Sequence, residues 1–130
     1  MRDDRFGMDD VRRMRVDLEV KGEDGFELSG SSSMTEISRD PANLVQQTCN
    51  ASHQYPDGFA LYLGTMFAPT KDRDAVGGGF THHMGDRVRI SAPALGVLEN
   101  VVTRCDQATP WTFGVSALMR NLAQRGLLSA

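Results

Sequence analysis

The first strand signal in the chain is a strict alternation of apolar and polar residues. In "MRVDLEV", residues 14–20, Met14, Val16, Leu18 and Val20 point one way and the charged residues point the other. A period of two is typical of a half-buried β-strand. The glycines of the following "KGEDG" favour a hairpin turn, and "FELSG" is predicted to be the returning strand.

A second hairpin is predicted later in the chain. "GDRVRIS" alternates with Val88 and Ile90 inward, "APALG" supplies a turn, and "VLENVVT" is predicted to pair back. Between the two hairpins lies "FALYLG", residues 59–64, which is apolar at both parities. That pattern predicts a strand buried on both faces, and hence central in the sheet.

Two helices are predicted. In "SRDPANLVQQTC", Asp40 can cap the helix and Pro41 fits its first turn, where a missing N–H costs nothing. "GVSALMRNLAQRGLL" closes the chain as an amphipathic helix, with Ser116 as a cap and Gly126 as its stop. Trp111 in "PWTFG" is expected to anchor this last helix to the sheet.

These elements predict an α+β fold with a mostly antiparallel mixed sheet and two short helices. Residues 1–10 are charged and patternless, so we expect a frayed or disordered N-terminus. A chain of 130 residues is enough for one domain, here residues 11–130.

Composition narrows the classes of partner. The hydrophobic fraction of 40%, the charged fraction of 24% and the net charge of −3 are those of an ordinary globular protein. The acidic balance argues against nucleic acid, and no apolar run approaches the ~20 residues that span a bilayer. The charged N-terminus is unlike a signal peptide, so we expect a cytoplasmic protein. In that compartment Cys49 and Cys105 are expected to be free buried thiols, with a disulfide between them as the alternative.

The loop after Gly64-Thr65 is the strongest site candidate in the sequence. A strand that ends in Gly-Thr presents a backbone N–H and a hydroxyl to a carboxylate or enolate oxygen. The loop carries Lys71 and Arg73 as anion-attracting residues, and its three consecutive glycines permit close backbone approach or lid motion. A mobile hairpin loop with solvating charges is the alternative.

Other candidate clusters have weaker geometry. His82 and His83 are adjacent and would face opposite sides of a strand, which disfavours a three-histidine metal site with His53. Asp17 and Glu19 share a strand face that could suit a hard cation, or could form an exposed charged stripe beside Arg15. In the serine run 31–33 nothing marks a nucleophile, since no G-x-S-x-G motif or assignable base is present.

The order of these segments resembles the C-terminal part of the fumarylacetoacetate hydrolase superfamily. The matching pieces are "SSSMTEISRDPANLV", then "YPDGFALYLGTMFAP", then "GFTHHMGDRVRISAPALGVLENVV", over about residues 11–104. The tail "PWTFGVSALMRNLAQRGLL" is similar to a bacterial subgroup related to 2-keto-3-deoxy sugar-acid dehydratases.

The resemblance implies a mixed β-roll, a divalent cation, usually Mg²⁺, and a 2-oxo acid or diketone substrate. Hydrolases and lyases of this family stabilise an enolate beside the metal. Their Gly-Thr pair, here Gly64-Thr65, contacts substrate oxygens. Family members bind the metal through an upstream Glu-x-Glu pair and an Asp, which this sequence lacks.

Two functions therefore follow as expectations. The chain is expected to be an incomplete C-terminal portion of such an enzyme, inactive alone, with no catalytic residue assignable and no metal ligand of its own. The alternative is a non-catalytic oligomerisation or interaction module derived from that fold, because an exposed sheet edge and apolar surface favour homo-oligomers.

Overall fold

The computed structural model describes residues 5–64 and 67–128. One four-stranded sheet organises this part of the chain, with strand order β2-β1-β3-β4 and every neighbouring pair antiparallel. Its strands are β1 (Arg15–Lys21), β2 (Glu27–Ser33), β3 (Arg87–Ala92) and β4 (Gly96–Val101). The predicted α+β class and both predicted hairpins are confirmed.

The strand register gives the sheet one apolar face and one charged face. Leu18 lies opposite Ile90, and Val20 lies between Leu28 and Val88, so the apolar residues of three strands share a face. The best-buried apolar residues are Val20, Leu28, Met34 and Ala92. Arg15, Asp17, Glu19, Arg87 and Arg89 occupy the opposite face, as the alternation predicts.

The described residues form three α-helices, one more than predicted: α1 (Met8–Arg13), α2 (Pro41–Thr48) and α3 (Val115–Gln124). Helix α2 begins as expected, with Asp40 Oδ1 accepting a hydrogen bond from the N–H of Ala42 at 2.9 Å. The same Asp40 carboxylate accepts a hydrogen bond from Arg12 Nε at 2.5 Å, which ties α1 to the start of α2. Helix α1 therefore begins inside residues 1–10, the segment whose lack of a pattern predicts a frayed or disordered N-terminus.

The predicted central strand "FALYLG" is wrong. Residues 59–64 form no strand, and β1 pairs directly with β3, which leaves no place between them. Gly58 and Gly64 both take positive φ, and Tyr62 is 92% exposed. The apolar residues at both odd and even positions belong instead to an irregular segment, whose Leu63 and Gly64 lie against the apolar face of the sheet.

The C-terminal segment also departs from expectation. Trp111 is 86% exposed and does not anchor α3, and the Ser116 cap is not formed, since Gly114 is the N-cap residue without a side-chain bond. Gly126 takes positive φ just after the helix, as predicted. Cys49 and Cys105 are free as expected, but both are exposed rather than buried. Among the described residues, no helix has the length and apolar character needed to cross a membrane.

Candidate functional site

A cavity of about 300 Å³ lies between the apolar face of the sheet and the irregular segment that ends at Gly64. Its walls come from β1, β2, β3 and the chain on either side of residues 65–66. The described lining residues are mostly apolar: Val16, Leu18, Ser31, Ser32, Met34, Leu63, Gly64, Phe67 and Ile90.

Gly30 and Phe67 explain why the cavity has this shape. A Cβ atom on Gly30 would collide with the far end of the Phe67 ring, so only glycine lets this ring pack so closely on β2. The Phe67 ring then forms one side of the cavity, and the cross-strand neighbours Leu18 and Ile90 form its floor. Gly64, at φ +89°, turns the chain in the opposite wall.

One hydroxyl on the sheet's apolar face is placed to orient a ligand. Ser32 lies opposite Val16 and is half-buried in the cavity wall. No described residue forms a hydrogen bond with Ser32 Oγ, which leaves this donor and acceptor for a bound molecule. Ser33 differs, since its Oγ accepts a hydrogen bond from the N–H of Thr35.

The predicted site residues do not all come together. Gly64 lies in the cavity wall. Thr65, its predicted companion, lies outside the described residues. Lys71 and Arg73 are not among the described residues that line the cavity, and each has partners within the chain. Lys71 Nζ donates to the carbonyl of Glu27 at 2.5 Å and lies 4.9 Å from the Phe26 ring centroid.

Arg73 forms the centre of a buried ion-pair cluster. Its side chain is 3% exposed, and its Nη1 and Nη2 donate to the two oxygens of Asp86 at 2.6 and 2.9 Å. Nη2 also donates to Asp24 Oδ2 at 2.9 Å, in the turn between β1 and β2. The guanidinium lies 4.5 Å from the Phe26 ring centroid. This geometry assigns Arg73 a structural role, since its donors are occupied before any substrate arrives.

The carboxylates of this cluster are held in their charged form. Hydrogen bonds from Arg73 hold the pKa of Asp86 well below its usual range, and burial opposes this shift without reversing it. The N–H of Phe26 and then Arg73 lower the pKa of Asp24. Gly22 stands beside them because a Cβ there would collide with Asp24 and Arg73.

Both histidines of the adjacent pair join this cluster. His82 Nδ1 lies 3.4 Å from Asp86 Oδ2. His83 Nε2 lies 3.0 Å from Asp74 Oδ2, and its backbone N–H donates to Asp86 at 2.9 Å. The two rings therefore fasten the end of the loop to the residues around Arg73.

The glycines of the loop serve its internal order. Asp72 accepts hydrogen bonds from the N–H groups of Gly77 at 2.7 Å and Gly79 at 2.9 Å, which lower its pKa. The N–H of Arg73 donates to the carbonyl of Gly79 at 3.0 Å, which closes the loop on itself. Positive φ at Gly77 and Gly79 permits this path. The described geometry is that of a fixed loop rather than a lid.

The structure forms none of the metal sites considered from sequence. Within residues 5–64 and 67–128, no group of three or more His, Cys, Asp or Glu side chains is placed to hold a metal ion. His53 lies in a turn bridged to Asn50, apart from the pair at residues 82–83. On the charged face of the sheet, Asp17 accepts a hydrogen bond from Arg15 and Glu19 faces Arg89 at 3.6 Å.

Sequence reasoning missed Asp24 and Asp86 as partners of Arg73. The sequence pattern places Asp86 only at the start of the strand segment "GDRVRIS", and Asp24 only in the turn "KGEDG". A usable signal was the isolated Arg in a loop followed by an Asp directly before a strand, since buried Arg requires a carboxylate.

Comparison with known protein families, curated proteins and solved structures finds no match for this chain.

Proposed function

We propose that this chain is a fumarylacetoacetate-hydrolase-like protein that binds a small 2-oxo acid or diketone in the cavity beside Gly64. The observation that carries this proposal is the position of Gly64 in the cavity wall. The segment order on which the resemblance rests supports it. In this reading, the Gly64-Thr65 pair meets the oxygens of the ligand.

The lining favours a ligand with an apolar part. The walls from Leu18, Phe67 and Ile90 suit a hydrocarbon or aromatic portion, and Ser32 Oγ suits a single oxygen. A volume of about 300 Å³ is at the small end of ligand cavities. A polyhydroxylated sugar acid would leave several hydroxyls without partners against these walls.

The chain contributes binding rather than proton transfer at this cavity. None of the described lining residues is titratable, so none of them acts there as a general acid or base. The Mg²⁺ that the resemblance implies finds no ligand set among the described residues, and no step proposed here runs through it. The proposed role is to seat and orient the ligand in a site whose chemistry other groups complete.

Isoleucine methyl signals test this proposal directly. The sequence has two isoleucines, Ile90 in the cavity and Ile37 outside its lining, so methyl-labelled protein gives a probe and an internal control. We expect 4-methyl-2-oxopentanoate to shift the Ile90 signal in a saturable manner and to leave Ile37 unchanged. Oxalate, which has no apolar part, is expected to shift neither signal, with or without Mg²⁺.

Two phenylalanine variants provide the matched control. Phe67→Leu alters the cavity wall and is expected to weaken the Ile90 response. The Phe80 ring packs against Phe26 and His82 outside the lining, so Phe80→Leu is expected to preserve that response. Equal shifts at Ile37 and Ile90 in the native protein, or no shift at millimolar ligand, would refute the proposal.

The second candidate function is a non-catalytic oligomerisation module. The observation that favours it is the exposure of large apolar residues on β4 and around α3, including Leu98 at 59% and Val115 at 72%. Exposed apolar surface of this kind marks interaction sites. A robust assembly that binds no oxo acid would favour this candidate.

A further inference from the structure

Strand β4 forms an edge of the sheet, and every residue of Gly96–Val101 is exposed. The strand carries Val97, Leu98 and Val101, each more than half exposed, and contains neither proline nor lysine. Natural edge strands usually carry charged residues or proline, a bulge or a covering segment to prevent pairing with another chain. In β4, Glu99 is the one charged residue, and no described segment covers the strand.

The ladder defines which backbone groups of β4 point outward. The N–H of Val102 donates to the carbonyl of Asp86 at 2.8 Å, and bonded pairs alternate along an antiparallel ladder. Even-numbered residues of β4 therefore bond to β3. The N–H and C=O groups of Val97, Glu99 and Val101 point away from the sheet, and no described residue hydrogen-bonds to them.

The other edge of the sheet is different. On β2, the outward carbonyl of Glu27 accepts a hydrogen bond from Lys71, and the Phe67 ring covers Gly30. The remaining outward positions of β2 carry serines rather than apolar side chains. Hydrogen-bonding capacity and exposed apolar area therefore coincide at β4 alone of these two edges.

We propose that a second copy of this chain pairs with β4, antiparallel, to form one continuous sheet across a two-fold axis near Asn100. In this register, Glu99 lies opposite the partner's Val101, and their outward N–H and C=O groups bond across the seam. On the apolar face, Leu98 lies opposite the partner's Val102. Two-fold pairing of identical surfaces is the commonest form of homo-oligomer.

Charge disfavours the neighbouring register, in which the two-fold axis would pass near Glu99. Centring the pair on Glu99 would place two carboxylates directly opposite each other, which is destabilising. With the axis at Asn100, the row across the seam reads Arg89, Glu99, the partner's Val101, the partner's Arg87. Glu99 keeps its intrachain partner, Arg87 Nη1, at 2.6 Å. No like charges lie opposite each other in this arrangement.

Amide exchange as a function of concentration tests the seam residue by residue. We expect sedimentation to show a monomer–dimer equilibrium, and the amides of Glu99 and Val101 to exchange more slowly as the dimer forms. The amides of Leu98 and Asn100, which already bond to β3, are expected to be protected at all concentrations. A monomer at every concentration up to the millimolar range, or a dimer with unchanged exchange at Glu99 and Val101, would overturn the proposal.

Two substitutions at Val101 give opposite expectations. Val101→Glu places a carboxylate opposite the partner's Glu99 and should weaken dimerisation about tenfold, whereas Val101→Lys should strengthen it. The effect of the two variants on the stability of a single chain is expected to be the reverse, because residue 101 lies opposite Arg87 on β3. Next to Arg87, glutamate is favourable and lysine is unfavourable. A general change in strand stability would therefore give the opposite ranking of the two variants and would overturn the proposed register.

A cysteine at the axis provides a test that does not depend on charge. In a Cys49→Ser/Cys105→Ser background, Asn100→Cys should form a disulfide-linked dimer under mild oxidation, and Leu98→Cys, on the same face but away from the axis, should form much less. Equal crosslinking of both variants would contradict the register. This inference is independent of the cavity beside Gly64, so its failure would leave the proposed ligand untouched.

Discussion

Replacing Asp86 by Asn should lower the stability of this protein more than any exposed charge substitution. Asp86 is fully buried, and its carboxylate accepts hydrogen bonds from Arg73 Nη1, Arg73 Nη2 and the N–H of His83, at 2.6, 2.9 and 2.9 Å. Asparagine keeps the shape of the side chain but turns one acceptor into a donor. That donor would face a guanidinium N–H.

The magnitude follows from what the substitution leaves behind. Removing one partner of a buried ion pair costs about 3–5 kcal/mol, because the remaining charge stays buried. Asp24 still pairs with Arg73 at 2.9 Å, which places the expected loss near the lower end, about 3 kcal/mol. For a domain of this size, that loss lowers the midpoint of thermal unfolding by about 10 °C.

Urea denaturation followed by far-ultraviolet circular dichroism measures this loss. The matched control is Asp106→Asn, which removes an equally bidentate pair with Arg104 at 2.8 and 2.9 Å, but with side chains that are 62% and 61% exposed. We expect no change beyond experimental error for this control. If both variants lose the same small amount of stability, the Arg73–Asp86 pair is not what holds the loop.

Two further outcomes are expected. Because the folded state lowers the pKa of Asp24, Asp72 and Asp86, their contribution to stability is fully present above the ordinary carboxyl pKa of about 4 and is lost as the pH falls toward the lower folded values. Urea midpoints measured from pH 6 to pH 2 should therefore fall, and fall less steeply in Asp86→Asn; a midpoint independent of pH would contradict this. Gly30→Ala should displace the Phe67 ring, reduce stability by about 1–3 kcal/mol and abolish the ligand response of Ile90, whereas Ser29→Ala, on the opposite face of β2, should do neither.

Local sequence rules predicted the sheet well because its strands depend on local alternation. The period of two in β1 and β3 fixed which residues face the core, and the turns after Lys21 and Ala92 set the hairpins. Helix α2 was predictable for the same reason, since Asp40 and Pro41 act within one turn. Each of these signals is complete within a few residues of the element that it specifies.

Features that depend on distant partners were not predictable in this way. Helix α1 is fastened by the Arg12 contact to Asp40, a residue 28 positions later. The apolar run at residues 59–64 has the composition of a central strand, but β1 and β3 already pair with each other. Composition gives no information about which strand positions are already filled. Trp111 is exposed because neither it nor α3 packs closely on the sheet, which the local pattern of the helix does not reveal.

The candidate site was predicted only at Gly64. The expectation that Lys71 and Arg73 would attract an anion used their charge, but charge in a loop does not reveal whether a carboxylate of the same chain has already neutralised it. For Arg73 two carboxylates have done so. The sheet side of the cavity, including Ser32 and Ile90, required the strand register, which no single segment contains.

The contacts of the long loop after Gly64 indicate that it supports the cavity wall, rather than acting as a lid or binding an anion. Its first part follows β2 in the opposite direction: Phe67 covers Gly30, Lys71 binds the carbonyl of Glu27, and Arg73 reaches Asp24. These contacts hold the Phe67 wall of the cavity against the sheet. Because Arg73 also donates to Asp86, the buried ion pair and the cavity wall belong to one connected set of contacts. A buried ion pair such as that of Arg73 would oppose the motion of a mobile loop. It suits a loop that must keep the Phe67 ring in place over Gly30.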